Sequence, residues 1–432
     1  MRHPSRRAHP TLALVLALAV LGAGCRSSDD AGRSSGSTTK PTDRSTTSVA
    51  AEGTAEPAAL QIQGDAYVVP DPLPAGDPGT VIATRAASPT KALGQAERTQ
   101  FVYHSVDHEG TDRAVSAVLL VPKGTPPKGG WPVVSWGHGT TGVADACAPS
   151  TTDNLFYDEY AQEARSFLDA GYAVVATDYL GLATPGLHPY LVGDEEGAAM
   201  ADAVTAARSI EPSLGDRWFA VGHSQGGQAA LFATINPKAK GRTPPAAAVA
   251  IAPANSLELA LPAVAHGDAP ADIVYGAYMV AGLSTVDPSV ELGDVLGPEG
   301  KANEQFILEE GCLLDTYPKL DPDRVDQIFD LTDAEAQDLS ERVAVYGDPE
   351  RHGVAGPVLV IQGETDKDVP AAVTRNMVAA LRADGHELGY REFPGRNHDE
   401  VLGPSICEQL DFLAANGGVA VDGCTPYETD LS

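Results

Sequence analysis

From Gln100 onward, short runs of apolar residues alternate with longer helix-like segments, a pattern of βαβ units around a mostly parallel sheet. Gln100 to Asp107 and Asp112 to Pro122 flank His108-Glu109-Gly110-Thr111 and predict an antiparallel hairpin that opens the sheet. Pro132 to Trp136, Ala173 to Asp178, Trp218 to Gly222 and Ala246 to Ile251 read as short buried strands. Phe156 to Ala170, Glu195 to Ser209 and Gln225 to Thr234 have the length and composition of crossover helices. After Ala252-Pro253 the strand rhythm stops, and the chain from about 254 to 351 reads as helices rich in Leu, Val, Tyr and acidic residues. Such a segment predicts a cap or lid insertion. Strand signals return at Pro357 to Ile361 and Leu388 to Phe393, and a final helix is expected near Ser405 to Ala414. The predicted class is α/β, with a mostly parallel central sheet flanked by helices. The 432 residues suffice for one such domain with its insertion.

The N-terminal pattern is different. Arg2, Arg6 and Arg7 precede an apolar run from Leu12 to Leu21, then Gly22, Ala23, Gly24 and Cys25. This is the layout of an export signal over 1–24, and the run is too short for a transmembrane anchor, which needs about 20 apolar residues. Leu21-Gly22-Ala23-Gly24-Cys25 is similar to a bacterial lipobox, in which Cys25 becomes lipidated and tethers the protein to the outer face of the cell membrane. Gly22 departs from the usual Leu, Val or Ile, and ordinary cleavage is the alternative. Residues 25–58, dominated by Ser, Thr, Gly, Asp and Ala, read as a flexible linker, and 59–432 as the catalytic domain.

Four further cysteines, Cys147, Cys312, Cys407 and Cys424, make an even number, which in an exported chain favours two disulfides. Three pairings are possible; joining the neighbours Cys407 and Cys424 leaves Cys147 for Cys312. No Cys-x-x-Cys spacing supports a metal site. The formal net charge of -30, from 59 acidic and 29 basic residues, disfavours nucleic acid and acidic lipid surfaces.

Candidate chemistry centres on Gly222-His223-Ser224-Gln225-Gly226-Gly227, which follows a strand and opens a helix. Glycines on both sides of a serine permit a sharp turn that projects Ser224, and the helix start aims N–H groups at developing negative charge. A serine hydroxyl needs a base and an orienting carboxylate. Asp366 is the candidate carboxylate, in the Gln362-to-Pro370 loop after a strand, with Asp368 its competitor. His398, in the loop after the last strand, is the candidate base; His386, the nearest alternative, stands before that strand. Main-chain N–H groups of Gln225 and of the loop Gly137-His138-Gly139-Thr140-Thr141-Gly142, with Thr140 ahead of Gly139, are the candidate oxyanion donors. The order Ser, Asp, His is that of α/β-hydrolases.

With these motifs the chain from about Pro70 resembles the secretory lipase family of the α/β-hydrolase superfamily and is similar to fungal type-A secreted lipases. Asp178-Tyr179-Leu180-Gly181-Leu182-Ala183-Thr184-Pro185-Gly186, His188-Pro189-Tyr190 and the Gly363-to-Pro370 loop carry the resemblance as well. It implies a helical cap over an acyl pocket and a disulfide from the oxyanion loop to that cap, for which Cys147 and Cys312 are suitably placed. Of Tyr179, Tyr190 and His188, two are expected to pack and one to line the pocket. No cofactor or metal is implied. The expected activity is hydrolysis of carboxylic esters, including acylglycerols, through an acyl-enzyme on Ser224. The alternatives are an acyltransferase or peptidase using the same triad, or a lipid-anchored binding protein without catalysis.

Overall fold

The structure, a computed structural model, describes residues 67–235, 241–265, 272–320 and 324–427. The expected export signal, Cys25 and the whole 25–58 linker lie outside these residues. Strands β1 (Val81–Ala87), β2 (Glu97–Val106), β3 (Asp112–Val121), β4 (Trp131–Gly137), β5 (Ala173–Leu180), β6 (Leu214–His223), β7 (Ala248–Ile251), β8 (Val358–Gly363) and β9 (Gly389–Phe393) form one sheet. Their order is β1-β2-β3-β5-β4-β6-β7-β8-β9. β1 to β3 and the β3–β5 pair are antiparallel, and every pair from β5–β4 to β8–β9 is parallel. This is the α/β-hydrolase arrangement.

Because side chains alternate across a strand, each central strand feeds two cores. Val133, Val175, Ala220, Ala250 and Val360 point to one face; Val134, Val174, Val221, Val249 and Ile361 point to the other. On the first face lie α2 (Gly193–Ile210) and α3 (Gln225–Phe232). On the second lies α1 (Asp158–Asp169), packed through Tyr160, Ala164 and Phe167. Burial on both sides explains why these strands read as continuous apolar runs, each fully buried Val or Ile contributing about 1.5–3 kcal/mol.

The hairpin of β2 and β3 is present, but β1 pairs outside it. A half-exposed edge strand with Arg85 in its middle offers no apolar run to betray it. Between β7 and β8 the described chain is helical, including α4 (Ile273–Ser284) and α5 (Asp333–Gly347), and it has its own apolar core around Tyr278, Val280, Leu296 and Phe329. After β8 the amphipathic α6 (Ala371–Ala383) makes the β8-to-β9 crossover, which the apolar-run pattern does not announce. The last helix, α7 (Leu402–Ala415), packs on α1. Among the described residues no helix is long and apolar enough to cross a membrane.

Parallel register brings four loops to one edge of the sheet. Gly137 pairs with Gly222, His223 with Ile251, Ile251 with Ile361, and Gly363 with Phe393. The segments that follow β4, β6, β8 and β9 therefore leave the sheet side by side, at the carboxyl ends where open α/β sheets bind ligands.

Candidate active site

β6 ends at His223 and α3 starts at Gln225, so Ser224 alone makes the turn, with φ 58° and ψ -119°. A residue with a side chain is rarely held at positive φ, and local strain of this kind is concentrated at functional sites. The turn is held by close backbone approach. A Cβ on Gly226 would stand 1.9 Å from the Gly137 carbonyl oxygen, and one on Gly222 would stand 2.1 Å from that of Gly226. Gln225 is the first residue of α3, where an N–H has no partner within the helix.

Asp366 and His398 meet across the β8 and β9 loops. His398 Nδ1 lies 2.7 Å from Asp366 Oδ2, and the Asp366 side chain is fully buried. The second oxygen, Oδ1, accepts the N–H groups of Asp368 at 3.0 Å and Val369 at 2.9 Å, while Gln362 Nε2 donates to Oδ2 at 2.8 Å. Burial lowers the proton affinity of His398, but the carboxylates of Asp366, Asp399 and Asp368 outweigh it and push the pKa up to about 9. Asp368 lines both cavities, while the hydrogen bond to the imidazole comes from Asp366. His386 stands against Gly353, at the other end of β9.

Two cavities of about 330 Å³ each meet at Ser224 and Thr140. One is lined mainly by apolar groups, among them Ala254, Leu259, Val264, Met279 and Val373. The other holds His398 and is walled by Tyr157, Tyr275 and Tyr317, with Glu159, Asp368 and Asp399 at its margin. Ser224 and His398 both line this second cavity.

The loop after β4 is anchored throughout. Tyr179 Oη donates to the His138 carbonyl oxygen at 3.1 Å, and Tyr157 Oη donates to that of Thr140 at 3.1 Å. Thr140 Oγ1 and Tyr190 Oη are 2.6 Å apart. The N–H of Leu313 donates to the Thr141 carbonyl at 2.8 Å, Gly142 pairs with Cys312 in an isolated bridge, and Cys147 is disulfide-bonded to Cys312. The second disulfide joins Cys407 to Cys424. One expectation is corrected: the Gly139 N–H donates to Tyr160 Oη at 3.0 Å, which leaves Thr140 and Gln225 as the oxyanion candidates. A Cβ on Gly139 would stand 2.3 Å from that hydroxyl, so glycine is needed for close approach to Tyr160.

Of the three polar rings near the site, only Tyr190 lines a cavity. His188 Nδ1 donates to the Leu180 carbonyl at 2.8 Å, and its Nε2 receives a hydrogen from Gln225 Nε2 at 2.8 Å. Gln225 Nε2 also donates to Glu196 Oε1 at 2.7 Å. Burial pushes the Glu196 carboxyl up to about 8 and the His188 ring down to about 3, so a neutral network supports the elbow.

Sequence reasoning passed over Tyr160, His223, Gln362 and Glu196. His223 was visible beside the serine, whereas the others act through contacts with no sequence spacing. Among the described residues one trio has metal-type ligands close together, His223, His398 and Asp399. Both ring nitrogens of His223 are already hydrogen-bonded, and so is Nδ1 of His398.

No protein-family model matches the sequence, and no curated protein matches it. Solved structures do. The chain is similar to the rice cell wall degrading esterase LipA from Xanthomonas oryzae, at 21% identity and a TM-score of 0.64, over 79% of this chain and 97% of that one. It is also similar to Candida antarctica lipase A in its closed state, at 20% identity and a TM-score of 0.62, over 82% and 87%. At such identities the likeness establishes the α/β-hydrolase fold, and the chemistry rests on the residues themselves.

Proposed function

We propose that the protein is a serine hydrolase of carboxylic esters. The observation that carries this reading is the buried Asp366–His398 pair opening, at 2.7 Å, onto the same cavity as a serine on a strained elbow. The names of the two solved relatives, an esterase and a lipase, agree with it. His398 Nε2 takes the proton of Ser224 as Oγ attacks the ester carbonyl, and Asp366 orients the ring and stabilises the imidazolium. The N–H groups of Gln225 and Thr140 meet the oxyanion. His398 then gives its proton to the leaving alcohol, and a water activated by the same ring cleaves the acyl-enzyme.

The two cavities divide the substrate. His398 must reach the leaving oxygen, so the alcohol belongs in the tyrosine-walled cavity with it. The acyl chain then occupies the apolar cavity beneath Ala254 and Met279. Hydrolysis of p-nitrophenyl esters from acetate to palmitate, with fluorophosphonate labelling, tests the reading. Activity that labels Ser224 and vanishes in Ser224→Ala supports it; an unchanged rate in that variant overturns it.

Export through residues 1–24 and lipidation of Cys25 belong to the same proposal. They agree with two disulfides in the described residues, since such bonds persist in oxidising compartments. Radiolabelled palmitate should enter the mature protein and be lost in Cys25→Ser.

A further inference from the structure

His223 and Tyr160 line the second cavity and join the oxyanion loop to the loop of the proposed base. Tyr160 Oη accepts the Gly139 N–H at 3.0 Å and lies 3.0 Å from His223 Nδ1; His223 Nε2 lies 3.0 Å from the His398 carbonyl oxygen. Each proton in this chain can be placed by elimination. A carbonyl oxygen only accepts, so Nε2 of His223 carries a hydrogen. Burial, together with the neighbouring His398 ring, pushes His223 down to about 4, so the imidazole is neutral and its Nδ1 is bare. The phenol, already an acceptor from Gly139, therefore donates to Nδ1. The order runs Gly139 N–H to Tyr160 O–H to His223 Nδ1, then His223 Nε2–H to the His398 carbonyl.

The chain is rigid as well as directional. Tyr160 and His223 are nearly fully buried. The Tyr160 ring is held edge-on by Trp136 at 5.5 Å and Tyr157 at 5.2 Å. The His223 and His398 rings are 4.6 Å apart, so the backbone of the base and its ring are both in contact with His223.

We infer that Tyr160 and His223 are positioning residues that fix the distance between the oxyanion donors and His398. The inference rests on the proposed serine-hydrolase reading. Its ground is geometric: small misplacements of reacting groups cost rate far more than binding.

The test is steady-state kinetics and a pH profile on a p-nitrophenyl ester for Tyr160→Phe, His223→Leu and His223→Gln, with Ser224→Ala alongside. Tyr160→Phe keeps the ring and loses the hydroxyl; kcat should fall roughly tenfold or more while KM stays within about twofold. His223→Leu should lose more, and His223→Gln, whose amide can still donate to the His398 carbonyl, should recover most of the loss. In Tyr160→Phe the apparent pKa of the base should also move down, because a loosened His398 loop weakens its contact with Asp366. Loss of thermal stability alone does not produce that shift. Wild-type kcat and pH midpoint in both Tyr160→Phe and His223→Leu would overturn the inference. A loss equal in all three variants, with no recovery in Gln, would also overturn it. Unchanged hydrolysis in Ser224→Ala would instead overturn the underlying reading, and with it this one.

Discussion

Asp366 holds His398 with one carboxylate oxygen, at 2.7 Å, and holds its own loop with the other, through the N–H groups of Asp368 and Val369. The carboxylate is thus oriented by the main chain before it orients the imidazole.

Asp366→Asn should reverse the donor at this contact and lower kcat about 10⁴-fold, whereas Asp368→Asn should retain most activity. His398 must be neutral to take the serine proton. With its pKa held up to about 9, kcat/KM should rise with pH to an apparent midpoint well above 6.5. A pH–rate profile checks this, and in Asp366→Asn the residual activity should have its midpoint shifted downward, since the charge that raises it is gone.

The two disulfides should separate stability from catalysis. Cys147 and Cys312 are 165 residues apart, and replacing both with Ser should cost about 5 kcal/mol and also lower kcat, because the loop of Thr140 is released. Cys407 and Cys424 are 17 apart, and their replacement should cost about 3 kcal/mol and leave kcat near wild type. Denaturant melts and initial rates on both double variants are the measurement.

Ala254 lines the apolar cavity, and its N–H donates to the Ser224 carbonyl at 3.1 Å. Ala254→Leu should narrow that cavity beside the nucleophile. Hydrolysis of p-nitrophenyl palmitate should fall at least roughly tenfold more than that of the acetate, as an added buried side chain costs about 1–3 kcal/mol where space is already filled.

Stability should decline with alkalinity. Burial raises Glu163 and Asp178 to about 7 and Glu196 to about 8, so the folded chain holds protons that the unfolded chain releases. Stability from these groups is present at low pH and lost as pH rises through those values. The buried rings of His138 and His188 act in the opposite sense, but only below about 6.5, where the unfolded chain protonates. His398, raised to about 9, adds to the alkaline loss. The Tm should therefore fall from pH 6.5 to 9, and Glu163→Gln should flatten only the part of the profile below about pH 7.

The central strands, the crossover helices α1 to α3 and the Ser, Asp, His order were legible because each leaves a local mark: an uninterrupted apolar run, a helix-length segment between two such runs, or a chemistry-bearing residue just after one. β1 left none, since an edge strand alternates exposed and half-buried residues. Gly139 was legible as a glycine needed for close approach, but the group approaching it, Tyr160, comes from α1 and has no sequence spacing to reveal it. The same holds for Glu196 beneath Gln225. Their partners are chosen by the packing of α1 and α2 on opposite faces of the sheet, which no local pattern encodes.

The ties between Thr141, Gly142, Cys147 and the 311–313 segment make that end of the helical insertion an extension of the oxyanion loop. It cannot swing outward without carrying Thr140 away from the serine. A change in the 311–313 segment of the insertion is therefore carried, through backbone and disulfide alike, to the loop beside Ser224.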